Sequence, residues 1–177
     1  MSAIKLKGNP LGAGNFSIEA PAAAGDRVLT LPDRAGRVTL DGPAFHAYRL
    51  ATAAVLVSTA WTRIAVETEV LDTDNCYDTS TWRFTPNVEG YYCINASAYV
   101  TQSSSSSIAS AIYINGTQVQ QSTTVISTSG VAAISALNYL NGTTDYVELY
   151  AYGGGASPVI QPSYTGTYLQ GFFVRKA

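Results

Sequence analysis

The chain has 177 residues, 46% hydrophobic and 12% charged, with a formal net charge of −2 and a pI near 5.2. That composition can build a core and excludes wholesale disorder, and it offers no positive field to gather nucleic acid or anionic lipid. Two cysteines and one histidine exclude a disulfide scaffold and leave little for a histidine-based metal site.

From the start, MSAIKLKGNP lacks the apolar core of a secretory signal, and no later run approaches membrane-spanning length. No membrane insertion is expected. Residues 1–42 are rich in Gly, Ala and Pro, with short β-like pieces at Asn15 to Ala20, Arg27 to Leu31 and Arg37 to Leu40. Such pieces cannot enclose a core alone. The recurring Phe16, Ile18, Val28, Leu31, Val38 and Leu40 favour an arm that folds against neighbouring chains or a larger assembly. Asp41-Gly42-Pro43 is a turn-forming junction to the remaining domain, residues 43–177.

In that domain, 55 consecutive residues between Glu89 and Asp145 carry no charge, and 26 of them are Ser, Thr, Asn or Gln. Alternation decides between polar disorder and half-buried strands. Tyr92, Ile94, Ala96, Ala98 and Val100 share one parity, while Asn95 and Ser97 fall on the other. Ile108, Ile112 and Ile114 repeat the pattern, as do Val147 and Leu149. This is the period of two that marks a strand. Asn115-Gly116 and Asn141-Gly142 sit between apolar stretches and supply the positive φ of tight hairpins. The pattern predicts strands near 44–50, 53–57, 62–70, 81–85, 90–101, 108–114, 117–126, 131–140, 145–152 and 167–175. Helix signals are nearly absent, and short, regularly spaced strands indicate a sandwich or jelly roll.

Several of these segments resemble the globular head of the first complement component and the tumour-necrosis-factor superfamily. Ala44-Phe45-His46-Ala47 is similar to the opening of that head, and Phe84-Thr85-Pro86 with Gly90-Tyr91-Tyr92-Cys93-Ile94 to its core signature. Asn115-Gly116 matches its hairpin, Asp145-Tyr146-Val147-Glu148-Leu149 its D-x-V-x-L strand, and Thr167 to Val174 its closing strand. The resemblance covers about residues 44–175 and implies an all-β, ten-strand jelly roll that assembles as a compact homotrimer. No Gly-X-Y stalk is present. In its place, Asn15 to Pro21 and Arg27 to Gly36 resemble short segments common in virion and tail-fibre proteins of tailed bacteriophages. Together the two resemblances imply a virion protein assembled in host cytoplasm. Its arm attaches to capsid or tail, and its head projects toward a host cell-surface glycan.

All twelve tyrosines follow the arm. Tyrosine joins large apolar area to a polar tip, which suits subunit and ligand interfaces as well as cores. Phe45, Tyr48, Tyr99, Tyr168 and Phe173 are the expected trimer contacts. The loops around Asn115, Asn141 and Gly153 are the candidate ligand loops, with Gly153-Gly154-Gly155 read as flexible.

Catalytic chemistry finds little support. Glu67 and Glu69 at i and i+2 would share one strand face about 6–7 Å apart. An inverting glycosidase needs opposed carboxylates in contrasting environments, so a solvated strand face is the better reading than a depolymerase. Asp72, Asp74 and Asp78 have some likeness to a calcium loop, but Tyr77 and Arg83 occupy the places that need Gly and Glu. Relatives of this head sometimes bind calcium near the trimer axis; a polar turn is preferred here, and no cofactor is expected. His46 has no nucleophile placed beside it, and Cys76 and Cys93 lack zinc spacing and are read as free thiols. The expected function is therefore an adhesive trimeric appendage. A capsid decoration or head-fibre protein is the alternative, favoured by the short chain.

Overall fold

The computed structural model describes residues 42–177; the arm residues Phe16, Ile18, Val28, Leu31, Val38 and Leu40 lie outside the described residues. Thirteen strands follow in order: β1 (Ala44–Arg49), β2 (Ala54–Val55), β3 (Thr62–Arg63), β4 (Thr68–Asp72), β5 (Tyr77–Asp78), β6 (Arg83–Phe84), β7 (Gly90–Thr101), β8 (Ser106–Ile114), β9 (Thr117–Ile126), β10 (Ser129–Leu140), β11 (Val147–Gly153), β12 (Val159–Ile160) and β13 (Ser163–Arg175). They form a seven-stranded sheet, with β7 between β13 and β10 and with β1 and β4 beyond β13, and a six-stranded sheet ordered β5-β6-β11-β8-β9 with β3 on β11. The described residues form an all-β jelly-roll sandwich.

The ten expected strands become thirteen for definite reasons. The predicted run 62–70 divides into β3, which joins the second sheet, and β4, which joins the first. The two-residue strands β5 and β12 are too short to show any period. The long strands β7 and β10 fall close to where alternation puts them, because one face of each is buried; β9, with no buried residue, is held by its hairpin with β8.

The centre of the first sheet is β7. Its inward row Tyr92, Ile94, Ala96, Ala98 and Val100 has no exposed surface. Small alanines in the middle of that row leave room for Phe84, Ile108, Ile112 and Leu149 arriving from the second sheet. Phe45 belongs to this core. It is 2% exposed, stacked on Phe84 at 4.1 Å and on Tyr77 at 5.3 Å, so it is not a subunit contact. Phe173 also turns inward, with its ring 5.4 Å from that of Tyr92. It lies against Gly42 and Gly90, where any Cβ would strike it.

Asn115 and Gly116 take φ of 53° and 75° and close the β8–β9 hairpin, as the left-handed pair of a tight turn should. Asn141-Gly142 is not a hairpin. It lies between β10 of the first sheet and β11 of the second, and only Gly142 has positive φ, 71°. A Cβ there would strike the backbone of Val88 and Glu89.

Phe45→Ala empties the middle of an aromatic stack and should cost about 3–5 kcal/mol. Denaturant unfolding at fixed protein concentration checks this. A subunit-contact role would instead leave a well-folded chain with altered association. Gly142→Ala should destabilise by more than about 1 kcal/mol, since both the backbone conformation and the space oppose a side chain.

Candidate functional site

The expected ligand loops do not converge. Asn115 and Asn141 share one end of the sandwich, joined through Asp145. Asn115 Nδ2 donates to Asp145 Oδ1 at 2.8 Å, and the backbone N–H of Asn141 donates to Asp145 Oδ2 at 2.9 Å. Asn141 Oδ1 accepts from the backbone N–H groups of Thr143, Thr144 and Asp145, and Asn115 Oδ1 from that of Tyr146. Both side chains are therefore committed to their own turns. Gly153 lies at the other end. It is a buried residue at the end of β11, paired with Ile108 while Val147 pairs with Ile114. The glycines after it are anchored, since Gly154 donates to Ser107 O at 2.8 Å and Gly155 to Gln102 Oε1 at 3.1 Å. The flexible-loop reading of Gly153 to Gly155 is corrected by these bonds.

The carboxylates are also engaged. Glu67 precedes β4 and accepts from the backbone N–H groups of Leu50 and Ala51, while Glu69 is exposed within β4; they are not a matched pair on one strand face. Asp72 accepts from Tyr77 N at 2.7 Å. Asp78 accepts from the hydroxyls of Ser80 and Thr81, and these hydrogen bonds hold its carboxyl well below the usual range. Both act as turn caps. Cys76 is buried, Cys93 faces outward on β7, and the two are unbonded.

Two sheet faces carry the remaining chemistry. On the outward side of the first sheet, registered rows run across β1, β13, β7 and β10. One is Ala44–Phe172–Cys93–Leu137, a second His46–Gln170–Asn95–Ser135, and a third Tyr48–Tyr168–Ser97–Ala133. Tyr99 pairs with Val131 beyond them. Tyr48, Tyr99 and Tyr168 thus share this face. Phe172 rather than Phe173 stands on it, 50% exposed, with Leu137 at 64%. None of these residues is charged. His46, among Tyr164 and Tyr168 and opposite Leu71 of β4, has its pKa lowered by burial.

The outward face of the second sheet differs in kind. Glu148, whose side chain is 2% exposed, accepts from Arg63 Nη1 at 2.8 Å and Arg83 Nε at 3.0 Å. Arg83 lies over the ring of Tyr146 at 3.9 Å and Arg63 over Trp82 at 4.9 Å. Tyr113 and Tyr150 stack at 3.8 Å, and Trp61 sits 5.7 Å from Tyr152. Burial pushes the phenols of Tyr113 and Tyr150 up. The result is a rigid aromatic platform riveted by one buried carboxylate. Sequence reasoning missed it, because its members come from four separate segments. The signal available was the excess of outward tyrosines at alternate positions of β11, namely Tyr150 and Tyr152.

This geometry can be set beside known proteins. No protein-family model matches the chain, and no curated protein does. Among solved structures, the globular domain of zebrafish complement 1qA is similar, at 17% identity and TM-score 0.58, over 76% of this chain and 99% of that one. Eiger TNF from S. frugiperda gives 12% and 0.62, over 78% and 96%. Murine APRIL gives 10% and 0.60, over 75% and 99%. The fold is the complement-head and tumour-necrosis-factor jelly roll. Its arrangement of sheets is thus shared at identities of 10–17%, which carries the fold and not the function.

Two measurements probe these faces. Glu148→Ala strands two guanidinium groups and should cost about 2–3 kcal/mol, less than a fully buried pair because both arginines reach water; urea unfolding reads it. A histidine with a folded pKa below its unfolded one gains its proton more readily on unfolding. Stability should therefore fall as pH drops from about 7 toward 5, and His46→Gln should flatten that part of the profile.

Proposed function

We propose that this chain is a homotrimeric structural protein of a tailed-bacteriophage virion, assembled in the host cytoplasm. Its N-terminal arm, residues 1–42, attaches to capsid or tail, and its jelly-roll head projects for host-surface adhesion. The observation that carries the trimer is the outward face of the first sheet. Its rows carry no charge and leave Phe172, Leu137 and Val131 well exposed beside tyrosines, a surface whose large apolar side chains suit burial against another copy. Threefold assembly covers such a face with heterologous contacts between copies. Tyr48, Tyr99, Tyr168 and Phe172 are the contacts we assign to it.

The virion setting is supported by the arm's likeness to phage segments. Adhesion is supported by the aromatic platform, since rigid Tyr and Trp surfaces bind sugar rings and other flat apolar faces with little loss of side-chain entropy. Three heads on one trimer multiply weak contacts into useful avidity.

Sedimentation equilibrium of the purified chain should give about three times its 18.7 kDa. The double variant Leu137→Arg, Phe172→Arg should give a folded monomer, and a monomeric parent chain would sink the assignment. Labelling the protein on intact particles separates the attachment sites. Many copies at capsid symmetry axes mean decoration, and a few at the tail mean a fibre.

A further inference from the structure

His46 is the one histidine of the chain, and it stands on the outward face of the first sheet. Its row, His46–Gln170–Asn95–Ser135, runs between the row that holds Ala44 and Phe172 and the row that holds Tyr48 and Tyr168. Tyr48, Tyr168 and Phe172 are contacts assigned between copies. A second copy that covers those two rows also covers the imidazole lying between them. Assembly thus takes a titratable ring out of water beside neutral amides. Neutral imidazole tolerates that transfer, whereas an imidazolium without a carboxylate does not.

The surroundings supply rings and apolar groups. On β1, Ala44 and Tyr48 flank His46 on the same face. From β13, Gln170 is its register partner, and the rings of Tyr164 and Tyr168 lie 5.4 and 6.1 Å away. From β4, Leu71 stands opposite, while the carboxylate residues Glu69 and Asp72 pair with Ala47 and Phe45, which belong to the core. Asp72 accepts instead from the backbone of Asp74 and Tyr77. Among the described residues the ion pairs join Arg49 to Glu67 and Arg63 and Arg83 to Glu148, and His46 enters none. In the single chain, burial already lowers its pKa from 6.5.

We infer that protonation of His46 opens the contact between copies, so that the heads assemble with the imidazole neutral and separate, still folded, in acid. The inference rests on the reading of this face as the subunit interface and names how that interface is regulated. Each trimer encloses three such rings. A histidine with lower proton affinity in the assembly than in the free head contributes association strength that is full above the free head's pKa and is lost as pH falls through it. That onset lies below the ordinary 6.5. Net charge works in the opposite direction. The pI is near 5.2, so acid removes the charge that makes copies repel one another, and separation in acid cannot be a net-charge effect.

Sedimentation equilibrium of the full-length chain at about pH 7 and about pH 5 reads the association across the histidine range, with far-UV circular dichroism at each pH reading the fold. The concentration at which half the trimer dissociates should rise by about tenfold or more at the lower pH, with the β signal kept. His46→Gln, uncharged throughout, should hold that concentration within about twofold. A single histidine also gives a single imidazole resonance, which should titrate at lower pH in concentrated, assembled protein than in dilute, dissociated protein. This second measurement decides where His46→Gln does not fold. A trimer that persists in acid, or tightens there, overturns the switch and leaves the trimer standing. A chain monomeric at both pH values removes the trimer and the switch together. Equal acid dissociation in His46→Gln, loss of the β signal on dissociation, or an imidazole that titrates no lower in the assembly also overturns the switch.

Discussion

The first sheet of this head is apolar on its inner side and, across its outward rows, uncharged with polar and apolar side chains mixed. Its inner row on β7, from Tyr92 to Val100, is sealed against the second sheet with no exposed surface. Its outer rows carry Phe172, Leu137, Tyr168 and a histidine that burial keeps neutral. One chain can cover only the inner side. Charges are kept off these outward rows; those of the first sheet stand at Arg49 on β1, Glu69 and Asp72 on β4 and Arg175 at the end of β13, and those of the second sheet centre on Glu148.

The long uncharged stretch lies between Glu89 and Asp145. It comprises β7 to β10, two strands of each sheet. Serine, threonine and glutamine keep the solvent side of β9 wet while forgoing charge. The head's arginines are held tightly by comparison. Arg63 and Arg83 share the buried Glu148 and lie over aromatic rings, so their value is geometric as much as electrostatic. A guanidinium sandwiched between a carboxylate and a ring is fixed in plane, and it fixes the ring in return.

β7 and β10 were legible in the sequence because burial on one face imposes a period of two, and β9, which has no buried residue, because the Asn115-Gly116 turn marks its start. β7 and β9 match their expected limits, and β10 differs only at its start. What failed was local reading where contacts are non-local. Phe45 and Phe173 sit on strands that also bear outward aromatics, and parity relative to the core cannot be assigned until the register is known. One position of slip reverses it, which is how Phe173 stood in for Phe172. The Asn141-Gly142 pair has hairpin chemistry yet serves a crossover, because its Asn side chain caps the turn. The aromatic platform was invisible for a related reason. Trp61, Trp82, Tyr113, Tyr146 and Tyr150 meet only through pairing of β3, β6, β8 and β11.

In jelly rolls, loops at the ends are the usual place to look for recognition, since loops tolerate change over a rigid scaffold. Here the ends are closed. Asp145 ties the Asn115 and Asn141 turns together, and Gly153 to Gly155 are pinned by Ser107, Gln102 and Ser58. Side chains bonded into their own turns have nothing left to offer a ligand. Buried side-chain atoms without a partner lie elsewhere among the described residues, at Arg49, Thr62, Glu67, Ser110 and Asn138. With both ends bonded into their own turns, the half-exposed aromatic row of the second sheet is the stacked surface this fold leaves outward.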